Sequence, residues 1–199
     1  MNIDAQRVKE LRLKTGAGIM DCKEALKAND GDLEKAIEYL RKKGINTASS
    51  KLTRKALSGK VGSYIHLYGK IGVLVEVNCE TDFVAETEEF KNFVKDIAMQ
   101  IAATNPRYIS KEEVPPDIIN KEKEIFYAQI EKENKPVKVM EKIVEGKMEK
   151  YFEENCLLEQ LFIKDNSQRV KELLLGMIGK LGENIIIRRF ARFKLGEEA

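Results

Sequence analysis

The stretch Ile71 to Phe90, IGVLVEVNCETDFVAETEEF, leaves this chain the fewest choices. Ile71, Val73, Val75 and Val77 alternate with Leu74, Glu76 and Asn78, the period-two pattern of a half-buried strand. From Phe90 the apolar residues fall at Phe93, Val94, Ile97 and Ile101, spacings of three and four that line one helical face. The chain must therefore turn from strand to helix within Thr81, Asp82, Phe83, Val84 and Ala85, where an acid sits beside a large aromatic ring. Two readings fit this pattern. In one, Asp82 serves the helix start, accepting orphan N–H groups, and Phe83 folds back onto the core. In the other, Phe83 is an exposed wedge and Asp82 its charged companion, both offered to a partner.

A chain of 199 residues can bury the core of one domain or of two small ones. Its 35 basic residues against 33 acidic ones give a net charge of +2, less basic than a dedicated nucleic-acid binder. Cys22, Cys79 and Cys156 are odd in number and widely spaced, so they imply no disulfide framework and read as buried small hydrophobes in a reducing cytoplasm. No apolar run approaches the roughly eighteen residues needed to span a membrane. The start, MNIDAQRVKE, shows no basic segment followed by an apolar one, so no secretory signal is expected.

The first helix is expected from an Asp4 cap to Lys14, with Thr15 and Gly16 as its stop. A second runs from about Ile19 to Lys27 and buries Cys22 with Ala25 or Leu26. A third, capped by Asp32, carries Leu33, Ala36, Ile37 and Leu40 on one face and closes at Gly44. Neighbouring helical residues point about 100° apart, so Ile19 and Met20 do not both enter the core. The pattern leaves open a merely apolar first turn or a contact patch of Arg12, Ile19, Met20 and Lys23.

Residues 46–60, rich in Ser, Thr and Lys, read as a linker. Val61 to Leu67 and the strand from Ile71 form a hairpin turned at Gly69 and Lys70. His66, the single histidine, reads as structural because no nucleophile accompanies it. The helix after Phe90 ends at Asn105 and Pro106, and Ser110 with Glu113 fits a capping box cut short by Pro115 and Pro116. Asp117 is expected to cap a charged helix to about Glu133, with Ile118, Ile125 and Ile130 as its stripe. After a break at Asn134, Pro136 opens another to about Glu154, with Val139, Ile143, Met148 and Phe152, making a projecting helical hairpin. Ser167 is expected to cap a last helix faced by Val170, Leu173, Leu174, Met177, Ile178 and Leu181, which Gly182 ends. A third strand, Ile185 to Leu195, carries apolar groups on both faces and so calls for cover.

The chain lacks a glycine-rich loop ending in Gly-Lys-Ser/Thr; Gly69-Lys70-Ile71 has the wrong spacing. No direct nucleotide binding is expected. One histidine and three scattered cysteines do not supply a closed zinc site, and no triad is visible, so no catalytic residue, metal or cofactor is expected.

TDFVA before an acidic, Phe-containing helix, VKELRLKTGAGIMDCKEAL at Val8 to Leu26, and GENIIIRRFARF at Gly182 to Phe193 together resemble the bacterial translation elongation factor Ts family, in order and across nearly the whole chain. The resemblance implies an α+β fold. An N-terminal three-helix ubiquitin-associated-like domain (1–45) and a linker (46–60) would precede a core of three antiparallel strands with packed helices (61–199), the hairpin lying at about 117–154. It implies a guanine-nucleotide exchange factor, not an enzyme, that binds elongation factor Tu with GDP, disturbs its magnesium and phosphate site and lets GTP in. The residues matching Thr81, Asp82, Phe83 and Val84 would reach that site, and Arg12, Ile19, Met20 and Lys23 would touch the same partner, with Ile19 where methionine is familiar. Short family members with one core unit also imply a cytoplasmic homodimer, here with no cysteine in the third strand to bridge it. An RNA- or ribosome-associated scaffold using Lys51 to Lys60 and Arg188, Arg189 and Arg192 is the alternative, marked by steep salt dependence.

Overall fold

The computed structural model describes residues 4–131 and 136–197. Among them lie eight α-helices, a three-stranded antiparallel sheet and a two-stranded ribbon. Packing divides the chain into two units. One comprises the chain up to Gly59 with Asn78–Phe90 and Glu172–Ile186; the second comprises Lys60–Val77, Lys91–Lys171 and the chain from Ile187 onward.

In the first unit, α1 (Ala5–Thr15) is capped by Asp4 and closed by Gly16 in the left-handed region, φ 68°. Helix α2 (Ile19–Ala28) buries Cys22, Ala25 and Leu26. Helix α3 (Leu33–Ser49) starts at Asp32, whose carboxylate accepts from the Lys35 N–H at 3.0 Å. The three share a core of Leu11, Cys22, Ala25, Leu26 and Ala36, flanked by Val8, Leu33, Ile37 and Leu40. Lys43 of α3 adds ion pairs to Asp21 and Glu24 of α2.

The third helix does not close at Gly44; it continues to Ser49, into the stretch expected as linker, and buries Ala48. Gly44 serves there as a place for close approach. Its backbone lies against Gly179 of α8 (Val170–Leu181), where a Cβ on Gly179 would stand 2.8 Å from the Gly44 carbonyl oxygen. Arg41 and Glu172 pair across the same two helices at 2.6 Å. The rest of the expected linker is tied down: the Lys51 ammonium donates to the Gly182 carbonyl, and the buried Asn184 amide donates to the carbonyls of Leu52 and Arg54.

The sheet has the order β1 (Ser58–His66), β2 (Ile71–Cys79), β5 (Ile186–Lys194), with β2 central. Val73, Val75, Val77 and Cys79 are buried, as the alternation requires. Helix α5 (Glu88–Thr104) packs where Gly62 leaves room, since a Cβ there would lie 2.3 Å from Val94 Cγ1. The hairpin turn occupies Leu67 to Lys70, and Leu67, Tyr68 and Gly69 all have positive φ, so it is wider than the expected Gly69–Lys70 turn. The opposite face of the sheet carries Ile65 beside Gly72, then Leu74, and the Arg189–Glu76 ion pair at 2.7 Å. By strand parity Val61 and Phe193 share that face, and all four apolar side chains on it are exposed.

In the second unit, α6 (Pro116–Glu131) and α7 (Val137–Asn155) pair along Ile119, Phe126, Ile130, Met140, Val144 and Met148. Ile125 is exposed, and the expected stripe Ile118, Ile125, Ile130 gives way to 119, 126 and 130, whose spacings of seven and four keep one face. Val139 likewise faces outward. Asp117 lies inside the first turn of α6 rather than capping it, and the expected break at Asn134 lies outside the described residues. Ser167 caps no helix: its N–H and hydroxyl both bond Asp165 in β4 (Asp165–Arg169), which pairs with β3 (Leu161–Phe162). Gln100, fully buried, holds this ribbon through Gln160, the Leu161 carbonyl and the Ile163 N–H.

Candidate functional site

Beyond β2 the chain makes a four-residue helix, α4 (Asp82–Ala85), too short to nucleate alone. Its orphan donors are met by side chains. Thr81 is the N-cap, its hydroxyl accepting from the Val84 N–H at 3.3 Å. The same hydroxyl donates to Glu183 at 2.7 Å, and the other Glu183 oxygen accepts from the Glu80 and Thr81 N–H groups, each at 3.0 Å. Glu80 in turn accepts from the Asn184 N–H at 2.7 Å. Ser58 donates to the Asp82 carboxylate, while its carbonyl accepts from Asn78 at 3.1 Å. The turn is thus held by Ser58 at the start of β1 and by Glu183 in the loop before β5.

Held this way, the turn separates the two readings of its sequence. Val84 and Ala85 point inward, whereas Phe83 is 83 % exposed and contributes almost nothing to the core. Capping falls to Thr81, and Asp82 occupies the first helical position beside the ring. Val84, at 6 % exposure, anchors the turn from within through its side chain. The free-standing ring is the shape of a binding anchor, since an apolar group left in water forfeits about 1.5–3 kcal/mol that a partner's pocket can recover.

In the N-terminal bundle both Ile19 and Met20 are exposed, at 55 % and 75 %, with Arg12 and Lys23 also on the surface. Buried Cys22 and Ala25 take up the inward face of α2 instead. Among the exposed apolar residues that escaped the sequence reading are Leu13, next to Arg12, and Leu57, next to Ser58. Each is an apolar residue off its segment's periodic face, which is the signal that finds it.

The three thiols are all buried, and burial pushes each upward from its ordinary value, Cys156 to about 11. His66 is exposed, its ring stacked on Tyr64 and its Nδ1 3.0 Å from the Tyr64 hydroxyl. Much of the basic charge invoked for RNA binding is engaged internally. Lys51 bonds Gly182, Arg54 lies 3.6 Å from Glu80, Arg189 pairs with Glu76, and Arg192, nearly buried, bonds Glu197. No helix among the described residues is long and apolar enough to cross a membrane.

The site is a braced turn that presents one exposed aromatic ring beside an acid. The family model described as Elongation factor TS matches residues 5–197. The chain is 63% identical to Elongation factor Ts of Caldanaerobacter subterraneus subsp. tengcongensis over 195 residues, 98% of each chain. It is 58% identical to that of Thermodesulfovibrio yellowstonii over 197 residues, 99% of this chain and 98% of the relative, and 56% identical to that of Syntrophus aciditrophicus over 198 residues, 100% and 98%. The chain belongs to the elongation factor Ts family, and is therefore a factor of translation elongation that carries out no covalent chemistry.

Proposed function

We propose that this protein is a guanine-nucleotide exchange factor for elongation factor Tu, working in the cytoplasm. It binds Tu with GDP, inserts Phe83 and Asp82 beside the partner's magnesium and phosphate site, and releases GDP so that GTP can enter. Partner GTPases hold nucleotide through a backbone phosphate cradle and a magnesium ion, so a wedge that shifts either one weakens the nucleotide without a covalent step. Linkage is reciprocal, so the factor that loosens GDP is itself bound less tightly when GDP is present. The observation that carries this reading is the ring of Phe83, 83 % exposed on a turn fastened from both sides.

Arg12, Ile19, Met20 and Lys23 would form a second contact with the same partner, supported by the exposure of both apolar members. The separate core of α1 to α3 supports an N-terminal domain of the ubiquitin-associated type at about 1–45. Residues 46–60, which begin as the last turn of α3, would connect it to a core at 61–199. The exposed face bearing Val61, Ile65, Leu74 and Phe193 supports a homodimer formed there. The RNA-scaffold alternative is weakened, because Lys51, Arg54 and Arg192 of its basic set also hold internal contacts.

The test is stopped-flow release of a fluorescent GDP from elongation factor Tu, with the wild type and with the Asp82→Ala, Phe83→Ala double variant. Acceleration by the wild type, lost in a folded variant that still binds Tu, is the expected result. A wild type that leaves release unchanged at saturation removes the exchange reading.

A further inference from the structure

We propose that Glu183 is the positioning residue of the Thr81–Phe83 turn: its carboxylate sets the capping hydroxyl of Thr81 and so fixes where Asp82 and Phe83 stand. The inference rests on the exchange reading for its functional meaning, and on geometry alone for the positioning.

One carboxylate accepts three hydrogen bonds from the turn, from the Glu80 N–H, the Thr81 N–H and the Thr81 hydroxyl. The third decides the matter. A hydroxyl has one hydrogen and two lone pairs. With the Thr81 hydrogen committed to Glu183 at 2.7 Å, a lone pair is left facing the Val84 N–H, which it meets at 3.3 Å. The rotor of the cap is thus set from outside the turn. A helix of four residues has little cooperativity of its own, so its orientation is only as definite as its cap. Bonds to an ionised acceptor are about twice as strong as neutral ones, which suits a carboxylate to the role.

Glu183 also has a firm base. It follows Gly182, which ends α8 in the left-handed region at φ 78°, and precedes Asn184, fully buried and bonded to Leu52, Arg54 and Glu80. The exchange between Glu183 and Glu80 is reciprocal: each side chain caps the backbone beside the other. The side chain of Glu183 touches neither Asp82 nor Phe83 in any of these bonds; it acts through Thr81.

The test compares Glu183→Ala and Glu183→Gln with wild type in two measurements. In amide hydrogen exchange, Glu183→Ala is expected to speed exchange at Glu80, Thr81 and Val84 by about tenfold or more while α3 and α5 keep their protection. In saturating GDP release from elongation factor Tu, the same variant lowers the maximal rate by roughly ten- to hundredfold, the cost of a misplaced group, with little change in the concentration giving half effect. Glu183→Gln, whose amide oxygen can still take the two N–H bonds but whose NH2 cannot accept from the Thr81 hydroxyl, is expected to restore protection at Glu80 and Thr81 while Val84 exchange and the release rate stay impaired. Unchanged turn amides in Glu183→Ala overturn the proposal. So does a uniform rise in exchange across the whole first unit, which makes Glu183 a general stabiliser. If wild type fails to release GDP, the exchange reading falls, while the turn amides still decide the positioning.

Discussion

Gly44 and Gly179 meet backbone to backbone: a Cβ on Gly179 would stand 2.8 Å from the Gly44 carbonyl oxygen and 2.9 Å from its Cα. Neither neighbour is the movable end of a side chain, so α3 and α8 would have to part. Gly179→Ala is expected to destabilise by about 1–3 kcal/mol in urea melts. Gly176→Ala, in the same helix with open space around its Cβ, is the control and should be neutral or stabilising by up to about 1 kcal/mol. Equal midpoints for the two variants would show that the approach is looser than described.

Phe83 and Val84 are adjacent yet face opposite ways, so truncating them should separate function from stability. Phe83→Ala is expected to shift stability by no more than about 0.5 kcal/mol while abolishing most of the acceleration of GDP release. Val84→Ala is expected to cost about 1–3 kcal/mol of stability through its buried methyl groups. Thermal melts beside release kinetics check both, and a strongly destabilised Phe83→Ala protein would return the ring to the core.

The N-terminal bundle should lose stability at both ends of the pH scale. The Lys35 backbone N–H holds Asp32 below its usual carboxylate range, and the Lys43 ammonium does the same for Glu24. A lowered folded value means stability present above the unfolded value and lost as pH falls through the folded one. Lys43 is raised by Glu24 and Asp21, so its contribution is complete below about pH 10 and is lost as pH rises through its folded value. Melting temperatures across pH are expected to show a plateau through neutrality with an acid limb, and Asp32→Ala should lower the plateau and flatten that limb. An unaltered acid limb in the variant would exclude Asp32 as a contributor.

The thiols offer a direct reading of burial. Because burial raises all three, Cys156 to about 11, the folded protein at neutral pH should react only slowly with a thiol reagent, then yield three equivalents once unfolded. Fast labelling of one cysteine before unfolding would reveal local opening around it.

If the exposed sheet face joins two copies, a charge placed on it should separate them. Ile65→Glu or Phe193→Glu is expected to convert a dimer to a monomer in sedimentation, without loss of helical signal. A wild type that sediments as a monomer at micromolar concentration would rule out this dimer.

Much of this fold is written in local sequence. Asp4, Asp32 and Gly16 announce helix ends through their own chemistry, and the alternating valines of β2 choose their buried side in advance. What misled the reading was a residue whose partner lies far along the chain. Gly44 looks like a stop until Gly179 is beside it. Ser167 is a local exception: Asp165, two residues back, claims its N–H and hydroxyl. The site divides the same way. Phe83 can be found from its awkward place beside an acid, and Thr81 from its place before the turn. Glu183, 102 residues from Thr81, leaves no local trace.

That separation has a consequence for how the protein is born. A ribosome makes the turn at Thr81 first and its clasp at Glu183 102 residues later. In that interval the N-terminal bundle can already close over its own core, while the ring of Phe83 rides on an unfastened loop. If the ring is the wedge proposed above, competence for the partner is conferred late, and a chain broken off before Glu183 would carry the ring without the carboxylate that sets its cap.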